Sequence, residues 1–159
     1  MIVKIVKLEA MRVAYTHAIS KTPETDAWEA LVAWAKPKGF FDNPGKHTTF
    51  GYNNPPPRNF ESPRGEEYGY ELLINVEPNV NPEGDIKLKD IPGGLYAVTR
   101  TKGVWNIFQA WLYLNEWLSS TKYELDEENE PGLEECITPF VHEDEMIFDL
   151  YLPIKSSVK

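Results

Sequence analysis

Two adjacent glutamates, Glu134 and Glu135, stand in the run Leu133-Glu134-Glu135-Cys136-Ile137, which otherwise reads as a β-strand. Successive strand residues point to opposite faces, so one of the pair must face the inner side of any packed sheet that contains this strand. A carboxylate there is costly unless it is hydrogen-bonded or paired with a cation. Beside Tyr96, Trp105, Trp111 or Phe148 it would suit a cationic, planar ligand held between aromatic faces. An edge strand with both acids in water is the other reading of the same run. A second mixture of acids and aromatics places Glu66, Glu67 and Glu71 around Tyr68 and Tyr70. Alternation sets Tyr68, Tyr70 and Leu72 on one face of that strand and Glu67 and Glu71 on the other.

Other chemistries find no support. His17, His47 and His142 are scattered without metal-ligand spacing and read as surface or strand residues. Pro92-Gly93-Gly94 is a hairpin turn that lacks the Lys-Ser/Thr of a phosphate loop. The single Cys136 excludes an internal disulfide and a cysteine-based zinc site, and its acidic neighbour would raise rather than lower a thiol pKa. No metal and no cofactor are expected.

Sixteen basic against twenty-five acidic residues leave a net charge of -9. With no basic cluster, direct binding to nucleic acid or to an anionic membrane is not expected. Residues 1–83 carry nine basic and eleven acidic side chains, whereas residues 84–159 carry seven and fourteen. Ten of those acids fall between Glu124 and Glu145, where there is no Lys or Arg. Most of them read as solvated turns. The N-terminus has lysines inside an alternating run and reads as a strand rather than a signal peptide. No apolar stretch approaches a membrane span, so a soluble, cytoplasmic protein is expected.

The elements that must position these groups repeat. An offset of 83 residues places Ala14 on Ala97, Thr16 on Thr99, Ala27 on Ala110, Trp28 on Trp111, Leu31 on Leu114 and Trp34 on Trp117. In the first half, strands are expected at 2–8 and 12–18. A helix should start at Thr22-Pro23 and run until Pro37 stops it, with strands following at 48–53 and 68–76. Asn53 to Phe60 contains three prolines and must be a surface loop. In the second half, strands are expected at 85–91 and 95–101, a helix over 104–118, and strands at 133–138 and 146–154, the last closed by Pro153. Glu116 is the sole charged residue of the second helix, which is therefore covered on both sides or faces a ligand or a partner subunit. The expectation is one α+β domain over residues 1–159. It is built from halves 1–83 and 84–159 with antiparallel sheets, one long helix per half and pseudo-two-fold symmetry, and a groove lies between the halves.

The chain resembles the GyrI-like small-molecule-binding domains, related to the effector-binding domains of AraC-type and MerR-type bacterial regulators. The matching segments are Glu9 to Tyr15, Asp26-Ala27-Trp28, Phe50 to Pro55, Ile91 to Val98, Gly103 to Trp111, Trp117-Leu118-Ser119, Leu133-Glu134 and Asp149 to Ile154. The resemblance implies duplicated βαββ modules and a groove for amphipathic, often cationic, aromatic compounds. Its central acid falls on Glu134, with an aromatic wall drawn from Trp105, Trp111, Tyr96, Phe148 and either Tyr52 or Phe60. Tyr68 joins them from the second acid and aromatic mixture. The chain departs from the family pattern at Cys136, where Tyr is common, and at Trp105, where Tyr is more usual.

The resemblance implies a stand-alone binder that sequesters or senses xenobiotics, and this is the leading reading. A second is a detoxifying hydrolase of strained cyclopropane-containing natural products, with Glu134 as general base and Trp105 or Tyr96 positioning the electrophile. A third is a modulator of a protein partner such as DNA gyrase. The two halves consume the sequence, so a DNA-binding segment would have to come from a partner. The nearly uncharged second helix leaves room for a homodimer, and packing between the halves explains it equally well.

Overall fold

Period-2 and helical patterns translate into nine strands and two α-helices in the computed structural model, which describes residues 1–43 and 45–156. The end of the expected second half, residues 157–159, lies outside the described residues. The strands are β1 (Val3–Leu8), β2 (Met11–Ser20), β3 (Thr49–Asn53), β4 (Tyr68–Asn75), β5 (Lys87–Ile91), β6 (Gly94–Lys102), β7 (Tyr123–Leu125), β8 (Leu133–Cys136) and β9 (Ile147–Ser156). Helix α1 covers Pro23–Ala35 and α2 covers Ile107–Ser119. The fold is α+β, and the pairings within each sheet described below are antiparallel.

The chain divides into two compact units, Met11–Ile91 and a second formed by Met1–Ala10 with the chain from Pro92 onward. In the first, the sheet order is β3-β4-β2-β5, with α1 on β2 and β4. In the second it is β1-β6-β9-β8, with β7 also paired to β9 and α2 lying on β6, β7 and β9. Five of the six pairs matched by the offset of 83 are buried alike, and the sixth is not, since Trp34 is buried and Trp117 half-buried. Ala14 and Ala97, Thr16 and Thr99, Ala27 and Ala110, and Leu31 and Leu114 are all buried, and Trp28 and Trp111 are both half-buried.

Helix α1 begins with Pro23 in its first turn, where a missing N–H costs nothing, and with Glu24 and Asp26 against the positive end of the helix dipole. Thr22 holds the capping place, yet its hydroxyl donates to Asp26 together with that of Ser20 instead of accepting from the helix. Ala27, Leu31, Trp34 and Ala35 pack on Ala14, Tyr70, Leu72 and Ile74. That face of β4 is the one alternation assigns to Tyr68, Tyr70 and Leu72. Pro153 does not close β9, which runs on to Ser156. Proline keeps its acceptor, and the Pro153 carbonyl receives the Asp126 N–H at 3.0 Å while Ile154 to Ser156 pair with β7.

The other face of the strands of the first unit carries an ion pair between buried Glu71 and half-buried Lys89. Glu71 on β4 sits opposite Tyr52 on β3 and His17 on β2. Lys89 of β5 donates to Glu71 at 2.5 Å and to the Tyr52 hydroxyl at 2.6 Å, with its ammonium 4.2 Å from the Tyr15 ring centroid. Asn54 donates to the second Glu71 oxygen at 2.6 Å. Burial pushes the Glu71 carboxyl up, but the hydrogen bonds from Lys89, Asn54 and Tyr52 outweigh it and leave it below its usual 4.5. Burial likewise pulls Lys89 down, and its bonds to Glu71 and Tyr52 leave it raised above its usual value.

Gly69 lets β4 pass beside the proline loop, because a Cβ there would lie 1.9 Å from the Asn54 carbonyl oxygen. Gly69→Ala should therefore lower stability by about 2 kcal/mol or more, read from the urea midpoint. Lys89→Met leaves buried Glu71 with the neutral donors Asn54 and Tyr52 but no cation, and should cost about 1.5–3 kcal/mol at pH 7. The wild-type contribution of Glu71 is present above pH 4.5 and lost as pH falls through its lowered value. In the variant, Glu71 titrates upward instead, so protonation relieves it. Urea unfolding should show the gap between the two proteins narrowing from pH 7 to pH 4.

Candidate functional site

The sequence places Glu134 on the short strand β8, and register decides where it points. Glu134 pairs with Leu150 of β9, which pairs with Thr99 of β6. Paired residues share a face, so Glu134 lies on the side that carries α2. There the Trp111 indole N–H donates to Glu134 Oε2 at 3.0 Å, and both side chains are half-buried. Trp111 is held over the sheet because its helical neighbours Ala110 and Leu114 are fully buried. Gly132, with φ +94°, removes the last obstacle: a Cβ there would meet the Tyr151 carbonyl oxygen at 2.5 Å and Trp111 Cη2 at 3.3 Å. The product is a half-buried carboxylate with the edge of an indole locked beside it.

Helix α2 buries only Ala110 and Leu114 fully, leaving Ile107, Phe108, Trp111, Tyr113, Trp117 and Leu118 half-buried. Its neutral composition thus ends in partly accessible aromatic surface. Phe148, buried on β9, shares the Glu134 face two residues from Leu150. Cys136 is on this face as well. Burial pushes its thiol up to about 12, so it stays protonated and is a poor nucleophile.

Glu135 points the opposite way. Its Oε1 accepts the Tyr151 hydroxyl at 2.7 Å, and beside it Arg100 grips Asp149 with two bonds of 2.8 and 3.1 Å. Burial raises the Glu135 carboxyl above its usual value, with Asp149 adding to the shift, and burial raises Tyr151 too. Tyr96 lies on this same face, edge-on to Tyr151 at 5.7 Å between ring centroids. The structure therefore brings Trp111 to Glu134 directly and sets Phe148 on the same face, while Tyr96 is on the reverse.

The remaining candidates lie elsewhere. Trp105 stands on a 3-10 turn ahead of α2, largely exposed, with its indole N–H donated to Asp144 at 3.0 Å. Phe60 is exposed in the proline loop, and Tyr52 belongs to the Lys89–Glu71 cluster. Tyr68 is buried on the α1 face of the first unit and donates to both carboxylate oxygens of Glu24, at 2.6 and 2.8 Å. Glu24 was missed in the sequence. A signal existed, because Glu24 and Trp28 are four apart and share a helix face. The Glu71–Lys89 pair left no such trace, since only strand register brings these two residues together.

Among the described residues, no group of three or more His, Cys, Asp or Glu is arranged to hold a metal ion, and no helix is long and apolar enough to cross a membrane. No curated protein sequence matches the chain significantly. Its fold is similar to the C-terminal domain of EcmrR, with a TM-score of 0.70 and 16% identity over 98% of both chains. In the EcmrR–DNA complex it spans 57% of the EcmrR chain. A hydrolase from Listeria innocua is similar at a TM-score of 0.68 and 9% identity, over 96% of this chain and 91% of that one. SAV2435 bound to tetraphenylphosphonium is similar at a TM-score of 0.56 and 11% identity, over 98% and 94%. These likenesses establish the fold. The sequence profile described as a GyrI-like small molecule binding domain matches residues 1–155, nearly the whole sequence, and the chain belongs to that family.

Proposed function

We propose that this GyrI-like domain binds amphipathic organic cations, with Glu134 as the counter-charge and Trp111 as the aromatic wall, and so sequesters or senses such compounds. The observation that carries the reading is the 3.0 Å bond from the Trp111 indole to Glu134. That bond orients a half-buried carboxylate at the edge of the indole, so a cation lying over the ring face is within reach of the acid as well. An organic cation gains from both, through charge and through the ring quadrupole. The partly covered aromatics of α2 add apolar surface for the remainder of such a ligand. SAV2435, a structural neighbour, was solved with tetraphenylphosphonium, a cation of this class.

Hydrolysis of a strained electrophile by the same carboxylate is the second reading. Its support is the Listeria innocua neighbours described as hydrolases. The two readings separate on mass balance, because a binder returns its ligand intact and a hydrolase returns a ring-opened product.

Calorimetric titration with tetraphenylphosphonium should give saturable binding, weakened by at least about tenfold in Glu134→Gln, since a hydrogen bond or pair to a charged group is worth about 1.5–3 kcal/mol. Neutral triphenylphosphine oxide should bind both proteins alike. Equal affinity of the cation for wild type and Glu134→Gln would refute the counter-charge role.

A further inference from the structure

The connection between β8 and β9 combines a rigid backbone with apolar side chains turned to water. It is closed at its base by the Ile137 N–H on the Ile147 carbonyl and by the Ile147 N–H on the Thr138 hydroxyl, both at 2.8 Å. Within it, the Glu145 N–H donates to the His142 carbonyl at 2.8 Å and the Asp144 N–H to His142 Nδ1 at 3.2 Å. Three further bonds fasten it to the segment before α2. These run from the Gly103 N–H to the Met146 carbonyl at 2.7 Å, from the Trp105 indole to Asp144 at 3.0 Å, and from Lys102 to Glu145 at 3.0 Å.

This scaffold presents Trp105 at 71% exposure, Phe140 at 59% and Val141 at 45%. Phe140 holds φ +68°, a conformation that a bulky residue seldom adopts. Exposed apolar groups carried on a loop braced by the Trp105–Asp144 bond point to an interaction surface. Tryptophan is enriched among the residues that dominate interfaces, and a preorganised frame lowers the entropy lost on association.

Charge identifies the occupant. Glu143, Asp144 and Glu145 border the exposed residues; Lys102 answers Glu145 and the Trp105 N–H answers Asp144, and the three acids against one cation leave the rim net negative. Nucleic acid and anionic lipid would be repelled by that rim. A second copy of this chain, itself at net charge -9, would bring the same acids against it in a two-fold contact. We propose that the β8–β9 loop and Trp105 form a docking surface for a segment of another protein that carries Lys or Arg beside apolar side chains. The partner's cation stacks on the Trp105 face and meets the acidic rim, while its apolar residues cover Phe140 and Val141.

The test uses the full chain and a short fluorescein-labelled peptide of leucine with lysine and arginine, followed by fluorescence polarisation. A version with glutamine in place of each basic residue is the control. The cationic peptide should bind and the glutamine version should not. Trp105→Ala combined with Phe140→Asn keeps the net charge, and Asn tolerates the left-handed conformation. This variant should bind at least about tenfold more weakly. Trp105→Phe, which loses the Asp144 bond but keeps an aromatic face, should retain most of the affinity, whereas Trp105→Ala alone should give part of the loss if the double variant does not fold. Glu127→Gln with Glu128→Gln removes two charges from another turn and should change affinity by less than about twofold. Unchanged affinity on losing Trp105, or an equal loss from the control turn, would reduce the interaction to diffuse charge and overturn the proposal. Trp105-dependent dimerisation, or Trp105-dependent binding to lipid vesicles, would overturn the assigned occupant.

Discussion

A carboxylate removed from water must find a donor, and four carboxylates in this protein do so with donors of different kinds. Glu134 takes an indole N–H, Glu135 a phenol, Glu24 a second phenol through both oxygens, and Glu71 an ammonium together with an amide. Each pairing fixes the geometry around it. A donor that is itself buried has one useful rotamer, so the acid and its partner lock one another and the strands that bear them. The Trp111 bond holds α2 in register with β8, and the Lys89 bond ties β5 to β4 across β2. A chain this acidic can only build a sheet interior by matching its inward acids in this manner.

The two glutamates of β8 show how a single strand separates roles. One residue of register turns Glu134 toward the helix and Glu135 toward the tyrosines of the reverse face. On the helix side the acid stands next to half-covered aromatic surface. On the reverse it is absorbed into a set that includes Tyr151, Asp149 and Arg100. A slip of one residue would exchange the two environments, so the Cys136–Phe148 and Leu133–Tyr151 pairings that flank them protect the chemistry as well as the fold.

Much of this was legible in the sequence because it depends on short-range periodicity. The spacing of Ala27, Leu31 and Trp34 gave α1, alternation gave β4, and four of the six pairs picked out by the offset of 83 are buried in both members. The position of Glu134 beside an aromatic was legible too, although which aromatic was not. Trp105 and Trp111 are six apart on one segment, and only the turn of the helix start sends one outward to Asp144 and the other inward to Glu134. Tyr96 misled for a related reason, since strand parity from β6 through β9 to β8 has to be counted before its face is known. Lys89 was invisible because an isolated lysine in an amphipathic strand looks like any solvated lysine. The short β7 escaped notice, as three residues carry no pattern of their own.

The pairing of β1 with β6 has a temporal side. Val3 to Leu8 lie against Gly94 to Thr99, although they are joined directly to β2 in the other unit. On a ribosome, β1 would emerge first and find its neighbour only after about ninety further residues had been made, a loop whose closure carries an entropic cost. In the interval the whole Met11–Ile91 unit can complete its own sheet, because β5 supplies the edge that β1 does not. The N-terminal strand is thus the last piece of the first-made segment to be seated. Lys4 and Lys7, three apart and therefore on opposite faces, keep both sides of it soluble while it waits.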